Sequence, residues 1–194
     1  MCKIALASAS PRRRELLAQL GINFELVKVD VDETQWPQEL ATDYVLRLAK
    51  TKAQAGVAAQ TTAQKLPVLG ADTIVVVDGL VLGKPVDQQD FLRMMRLLSG
   101  RQHQVYTAIA LATSTLLLSD TVKTDVWFSP LTEAQMLAYW HSGEPADKAG
   151  GYGIQGLASR YIPKISGSYF AVVGLPLHET DQLLQQLIAA QGAL

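Results

Sequence analysis

Val68-Leu69-Gly70-Ala71-Asp72-Thr73-Ile74-Val75-Val76-Val77-Asp78-Gly79-Leu80-Val81-Leu82 is the stretch from which the architecture is read. From Leu66 to Val77 the chain is mostly apolar and β-branched, the pattern of a buried strand. Asp78-Gly79 is a preferred two-residue hairpin turn, so Leu80 to Leu82 folds back on the preceding strand. His103–Thr113 and Leu116–Phe128 form a second hairpin-like pair around a Ser/Thr turn. Helical stretches alternate with these strands. The combination predicts an α/β protein with a mixed, partly antiparallel sheet, in place of a purely doubly wound one.

Upstream, Ile4 to Ala7 reads as a short buried strand. Ser10 is placed to N-cap a helix and Pro11 to occupy its first position, where a missing N–H costs nothing. Leu16, Leu17 and Leu20 supply the apolar face of that helix, and Gly21 ends it. Phe24 to Val31 reads as a strand, and Thr42 as the cap of a helix running to about Gln60. Downstream, Asp87 opens a helix to Ser99-Gly100, and Thr132 with Gln135 forms a capping box. Arg160–Ile165 and Tyr169–Val173 read as strands. Gly174-Leu175-Pro176 introduces a last helix carrying Leu183, Leu184, Leu187 and Ile188.

The chain has 194 residues with 48% hydrophobic content, enough for one domain over 1–194 with two lobes. A net charge of −1 argues against a nucleic-acid partner. Cys2 is the sole cysteine, which precludes an internal disulfide and points to a reducing, cytoplasmic compartment. The apolar run before Arg12 is too short for a signal segment, and no stretch reaches the length of a membrane span.

Arg12, Arg13 and Arg14 fall in the first turn of a helix, facing the positive end of its dipole. Each forfeits roughly 0.3–1 kcal/mol there. A bound anion offsets this cost, because backbone N–H groups, the Ser8 and Ser10 hydroxyls and the guanidinium forks converge. Arg13 shares the face of Leu16 and Leu17, Arg12 sits at its edge, and Arg14 points outward as surface decoration. Phosphate is the expected anion.

Asp72 is a carboxylate inside an apolar run, costly unless paired or bound to metal. It is either a loop residue between two short strands or a strand-end carboxylate that activates water or holds a divalent cation. Glu33 closes an acidic strand end and is a candidate second oxygen ligand for Mg²⁺. Lys52 interrupts the Val45/Leu48/Ala49/Ala53 stripe, so its stem runs along the core side of its helix. Lys84 stands between Gly83 and Pro85, and Lys148 opens a glycine-rich segment. With Arg12 and Arg13 these lysines suit a triphosphate.

Gly151-Tyr152-Gly153-Ile154-Gln155-Gly156 matches a dinucleotide-binding spacing, but its flanks are not the strand and helix that site needs. The segment reads instead as a backbone-lined wall that a flat ring can approach. Gln155, with a donor and an acceptor, can read a base edge.

Ser8-Ala9-Ser10-Pro11-Arg12-Arg13, Gly70-Ala71-Asp72-Thr73, Gly83-Lys84-Pro85, Lys148 through Gly156, and Gly167-Ser168-Tyr169 through Leu177 together resemble the signature blocks of the Maf family of nucleoside triphosphate pyrophosphatases. The resemblance implies a two-lobed mixed-sheet fold with a cleft, related to the inosine-triphosphate pyrophosphatases, and frequent homodimers. It implies hydrolysis of a nucleoside triphosphate to its monophosphate and pyrophosphate with Mg²⁺ or Mn²⁺. On it, Asp72 is the proton acceptor, and Glu33, Lys52 and Lys84 are catalytic-site positions. Ser8, Ser10, Arg13 and Lys148 contact phosphates, while Arg12, Thr73 and Gln155 mark the dTTP/UTP branch. Whether Glu33 or Asp72 is the main metal ligand stays open. Two rival readings are a non-catalytic nucleotide-binding regulator of cell division and a nicotinamide-dependent oxidoreductase. Paired carboxylates repel a polyphosphate unless a metal intervenes, which favours the enzyme over the first. The second rests only on the glycine spacing.

Overall fold

In the computed structural model, which describes residues 3–62 and 65–192, the parallel core grows from β1 (Ile4–Ala7), every residue of which is buried. β1 pairs in parallel with β2 (Phe24–Leu26) on one side and β3 (Val68–Val77) on the other. Cys2 lies outside the described residues. Asp78 and Gly79 adopt φ of 51° and 77°, and β4 (Leu80–Leu82) returns antiparallel to β3 as the turn chemistry requires. β5 (Gln102–Ala112) and β6 (Leu117–Trp127) are joined at Thr113, whose Oγ1 accepts from Leu116 N at 2.9 Å. β7 (Lys164–Ser166) pairs antiparallel with β6. Among the described residues the sheet order is β2-β1-β3-β5-β6-β7, with β4 on β3, a mixed sheet as expected.

The helices are α1 (Pro11–Gln19), α2 (Ala41–Ala59), α3 (Gln88–Leu98), α4 (Glu133–His141), α5 (Tyr169–Val173) and α6 (Leu177–Gly192). Asp87 caps α3 by accepting from Asp90 N, and the Thr132/Gln135 capping box opens α4. Among the described residues, no helix is long and apolar enough to cross a membrane.

The chain divides into two compact units. The first comprises the described parts of Met1–Asp72, Thr107–Val122 and Gly174–Leu194. Its core holds Ile4, Leu6, Leu16, Leu17, Leu48, Leu69 and Leu187. α2 lies flat on β3 there because Gly70 has no side chain: a Cβ at Gly70 would run into the backbone of Ala49 and Ala53. The second comprises Thr73–Tyr106 and Lys123–Val173, and its core gathers Val75, Phe91, Met95, Leu98, Val126, Phe128 and Tyr152. Within it His103 Nε2 lies 2.7 Å from the Tyr152 hydroxyl, and burial lowers the imidazole to about 4.

Several local expectations are corrected. Among the described residues β2 pairs with β1 alone, and β1 ends at Ala7; β2 accordingly stops at Leu26, and residues 27–40 are irregular. Glu33 is therefore a loop residue, not a strand end. α2 begins at Ala41 after Leu40, leaving Thr42 inside the helix instead of capping it. Ser10 holds the N-cap position of α1 without a side-chain capping bond, and its N–H donates to Ser8 Oγ at 3.2 Å. Arg160 and Tyr161 lie in a 3₁₀ turn, so β7 starts only at Lys164. Tyr169–Val173 is a helix despite its β-forming residues: Ser168 Oγ accepts from Ala171 N at 3.2 Å, and the chain turns at Gly167, φ 126°. Ile188 is exposed, while Leu183, Leu184 and Leu187 are buried.

Candidate functional site

Asp72 is neither in a loop nor at a strand end. It is buried in the middle of β3, at the last residue of the first unit, between Ala71 and Thr73 in a strand otherwise mostly apolar. Such a carboxylate needs a partner, and α2 supplies it. The close approach allowed by Gly70 sets Lys52 over β3, and its Nζ donates to Asp72 Oδ1 at 2.7 Å. The same ammonium meets Glu33 Oε1 at 2.6 Å. The stem of Lys52 runs along the buried stripe of Val45, Leu48, Ala49 and Ala53, as its spacing implied. One cation thus bridges a sheltered carboxylate and a carboxylate exposed on a loop.

Arg13 joins this electrostatic neighbourhood from the first turn of α1. Its Nε donates to Gly174 O at 2.8 Å, and Nη1 to Ser8 Oγ at 3.3 Å. Burial pulls the guanidinium below its ordinary value; the negative charge of Asp72 opposes that shift, Arg12 adds to it, and Glu33 opposes it. Asp72, Lys52, Glu33, Arg13 and Ser8 therefore share the first unit, where Arg12 and Ser10 are half-buried beside Arg13. Arg14 is half-buried too, one position further along.

Lys84, Lys148 and Gln155 belong to the second unit, and Thr73 follows Asp72 directly in β3. Lys84 and Gln155 are exposed. The turn that carries Lys84 is tied to the glycine segment by Gly150 N donating to Gly83 O at 2.9 Å. Lys148 Nζ donates to Glu144 O and to Asp147 Oδ1, at 2.5 and 2.7 Å.

The glycine segment is not an open wall. A Cβ at Gly150 would lie 2.8 Å from Val75 Cγ2, and one at Gly151 2.9 Å from Phe91 Cδ2; both residues have positive φ. Gly153 faces the Lys148 stem, and Gly156 lies against the Glu144 carboxylate. The glycines let the chain's own side chains approach its backbone. Glu144 organises the rest: its carboxylate accepts from Tyr139 OH at 2.7 Å and from Leu157 N at 2.8 Å, and Tyr139 OH accepts from Gly153 N at 3.2 Å.

Sequence reasoning missed Glu144 and Tyr139, and it missed the residues that hold the Glu33 loop. Tyr44 OH donates to Glu33 O at 2.7 Å, and Arg47 grips Glu39 and Thr34 O. For Tyr44 a signal was present: Tyr44, Leu48 and Lys52 recur at helical spacing on one face of α2. Among the described residues there is no group of three His, Cys, Asp or Glu side chains able to hold a metal by themselves.

The chain resembles known proteins over nearly its whole length. A protein of Pseudoalteromonas translucida named dTTP/UTP pyrophosphatase is 58% identical over 95% of this chain and 97% of its own. A protein of the same name from Shigella sonnei is 57% identical over 97% of this chain and 95% of its own. One from Aliivibrio fischeri is 55% identical over 96% of this chain and 98% of its own. A solved structure of the Staphylococcus aureus Ham1 protein matches 65% of this chain and 71% of that chain at a TM-score of 0.44 and 13% identity, a likeness too weak to carry fold or function. The family model described as Maf-like protein matches residues 3–187, and the chain belongs to that family.

Proposed function

We propose that this chain is a nucleoside triphosphate pyrophosphatase that hydrolyses dTTP and UTP to the monophosphate and pyrophosphate. Relatives of that name, 55–58% identical, support the substrate class. The structural observation that carries the reading is a mid-strand carboxylate, Asp72, joined through the Lys52 ammonium to Glu33, with Arg13 close enough to feel both.

Asp72 takes the proton of a water whose oxygen attacks the α-phosphorus. The α–β bridging P–O bond breaks, and its electron pair leaves with pyrophosphate. Lys52 Nζ, donating to Asp72 Oδ1, holds that carboxylate in place. Arg13, Ser8 and Ser10, at the α1 N-terminus, contact phosphate oxygens, where the guanidinium and the helix end both favour negative charge. Lys84 and Lys148 add further phosphate contacts, with Asp147 competing for Lys148. Thr73, Gln155 and Arg12 select the pyrimidine, since a base that leaves their polar groups unpaired is rejected.

A divalent cation fits the donor set. Asp72 and Glu33 already converge on one positive group, and Mg²⁺ characteristically takes one or two carboxylates, completing its shell with water and substrate phosphate. Asp72 and Glu33 would hold it, and its charge would offset the negative charge that develops on the departing pyrophosphate.

The test is to incubate purified protein with each common nucleoside triphosphate and Mg²⁺ or Mn²⁺ in ¹⁸O-labelled water. The expected products are dTMP or UMP carrying the label and unlabelled pyrophosphate, with chelator abolishing both. Nucleoside diphosphate and orthophosphate, or label in pyrophosphate, overturns the reaction; equal rates on purine nucleotides overturn the selectivity.

A further inference from the structure

Glu33 poses a positional problem. It stands in the irregular stretch 27–40 with its side chain 53% exposed, yet its carboxylate is held 2.6 Å from Lys52 Nζ. Loop side chains at the surface are ordinarily mobile, and an exposed ion pair is worth at most about 1 kcal/mol, too little to order a loop alone. We propose that Tyr44 and Arg47, on the same helix as Lys52, are positioning residues that fix the Glu33 loop against the Lys52–Asp72 pair. The inference rests on the pyrophosphatase reading of Glu33 and adds residues to it.

Tyr44 acts on Glu33 itself, its hydroxyl donating to the Glu33 carbonyl at 2.7 Å. That hydroxyl is pushed above its ordinary value by burial first and then by the charges of Asp72 and Glu33, as its nearness to both requires. Arg47 acts on the rest of the loop. Nε and Nη2 form a fork on the two Glu39 carboxylate oxygens at 2.6 and 2.7 Å, and Nη2 also donates to Thr34 O at 3.0 Å. Its guanidinium lies 4.0 Å from the centroid of the Trp36 ring. Glu39 passes the restraint on, accepting Trp36 N at 3.0 Å on its carboxylate and Gln35 Nε2 at 2.9 Å on its carbonyl. The Arg47 and Glu39 side chains are 18% and 7% exposed, so this pair is sheltered, unlike that of Glu33.

Helix geometry gives the arrangement its meaning. Tyr44 and Lys52 are two turns apart on one face, with Leu48 buried between them. Both ends of the Glu33 contact, the ammonium it meets and the hydroxyl that holds its backbone, are thus set by one rigid element. A lysine at 47 would keep the charge but lose the fork, the second donor and the planar stack.

The experiment uses Arg47→Lys and Tyr44→Phe in the full chain, each alone and combined with Glu33→Gln. It reads kcat and KM for dTTP, hydrogen exchange of residues 32–39, and Tm. Both single variants should lower kcat about 10–100-fold, the scale for residues that orient a site group, and keep KM within about twofold. Exchange in 32–39 should quicken, with Tm nearly unchanged. On the Glu33→Gln background neither substitution should lower kcat further. Unchanged kcat in both single variants, or an equal loss with Gln at 33, overturns the positioning role. Full turnover by Glu33→Gln alone overturns the role of Glu33 and this inference with it, and a parent chain without pyrophosphate release overturns the function on which both stand. Tyr44→Phe removes one hydroxyl only and decides the matter if Arg47→Lys does not fold.

Discussion

Asp72→Asn should remove hydrolysis at little structural cost, whereas Lys52→Met should cost far more stability. The two side chains are 12% and 11% exposed, so their contact is sheltered and little discounted by solvent. Asparagine keeps a carbonyl oxygen where Lys52 Nζ now donates at 2.7 Å, and Lys52 retains Glu33 at 2.6 Å. The loss is the difference between an ion pair and a hydrogen bond in which only the lysine is charged, about 1–2 kcal/mol. For a protein of this length that lowers Tm by about 2–8 °C. Lys52→Met instead strands the Asp72 carboxylate among Val68–Val77, at about 3–5 kcal/mol. Removing a proton acceptor lowers turnover by about 10²–10⁴-fold. Pyrophosphate release from dTTP and thermal melts of the three proteins test this together. Turnover of Asp72→Asn close to that of the parent refutes the proton-acceptor role. A melt of Asp72→Asn below that of Lys52→Met refutes the assignment of Lys52 as the group that makes Asp72 tolerable in β3.

Substituting Arg12, Thr73 or Gln155 with alanine should change the ranking of dTTP and UTP against other nucleotides more than it changes Tm; a fixed ranking with a falling melt contradicts their selective role. His103 titrates near 4 in the folded chain against an ordinary 6.5, so below pH 6.5 the unfolded chain takes up a proton that the folded chain refuses. Stability present above pH 6.5 is then lost as pH falls towards 4, by about 3 kcal/mol from this group, and melts across that window should fall less steeply in His103→Gln. Gly151→Ala combines a positive φ of 70° with a Cβ 2.9 Å from Phe91, and should cost about 2–4 kcal/mol in chemical denaturation; an unchanged midpoint would mean that the segment is loosely packed.

Where an element is specified by its own residues, the sequence reads true. Asp78-Gly79 demands its hairpin, Asp87 and the Thr132/Gln135 box cap their helices, and Lys52 betrays its inward course by breaking an apolar stripe. Readings failed where a neighbour decides. β2 is cut short by the end of β1, and Tyr169–Val173 is turned helical by Ser168 in spite of its composition. The glycine segment looked open because glycines permit approach from any side. Only packing reveals that Val75, Phe91, Lys148 and Glu144 are what approach.

The order of residues along the chain by itself determined a mixed α/β sheet, a cationic first turn at α1 and the identities of the ionisable groups to suspect, because these depend on turn chemistry, periodicity and charge within a few residues. Tertiary structure alone decided which of those groups meet. Lys52 reaches Asp72 only because Gly70 lets α2 lie against β3, Tyr44 meets the Glu33 carbonyl from eleven positions away, and Arg47 meets that of Thr34 from thirteen. The energy of such contacts depends on distance and burial in space, which spacing along a chain does not specify.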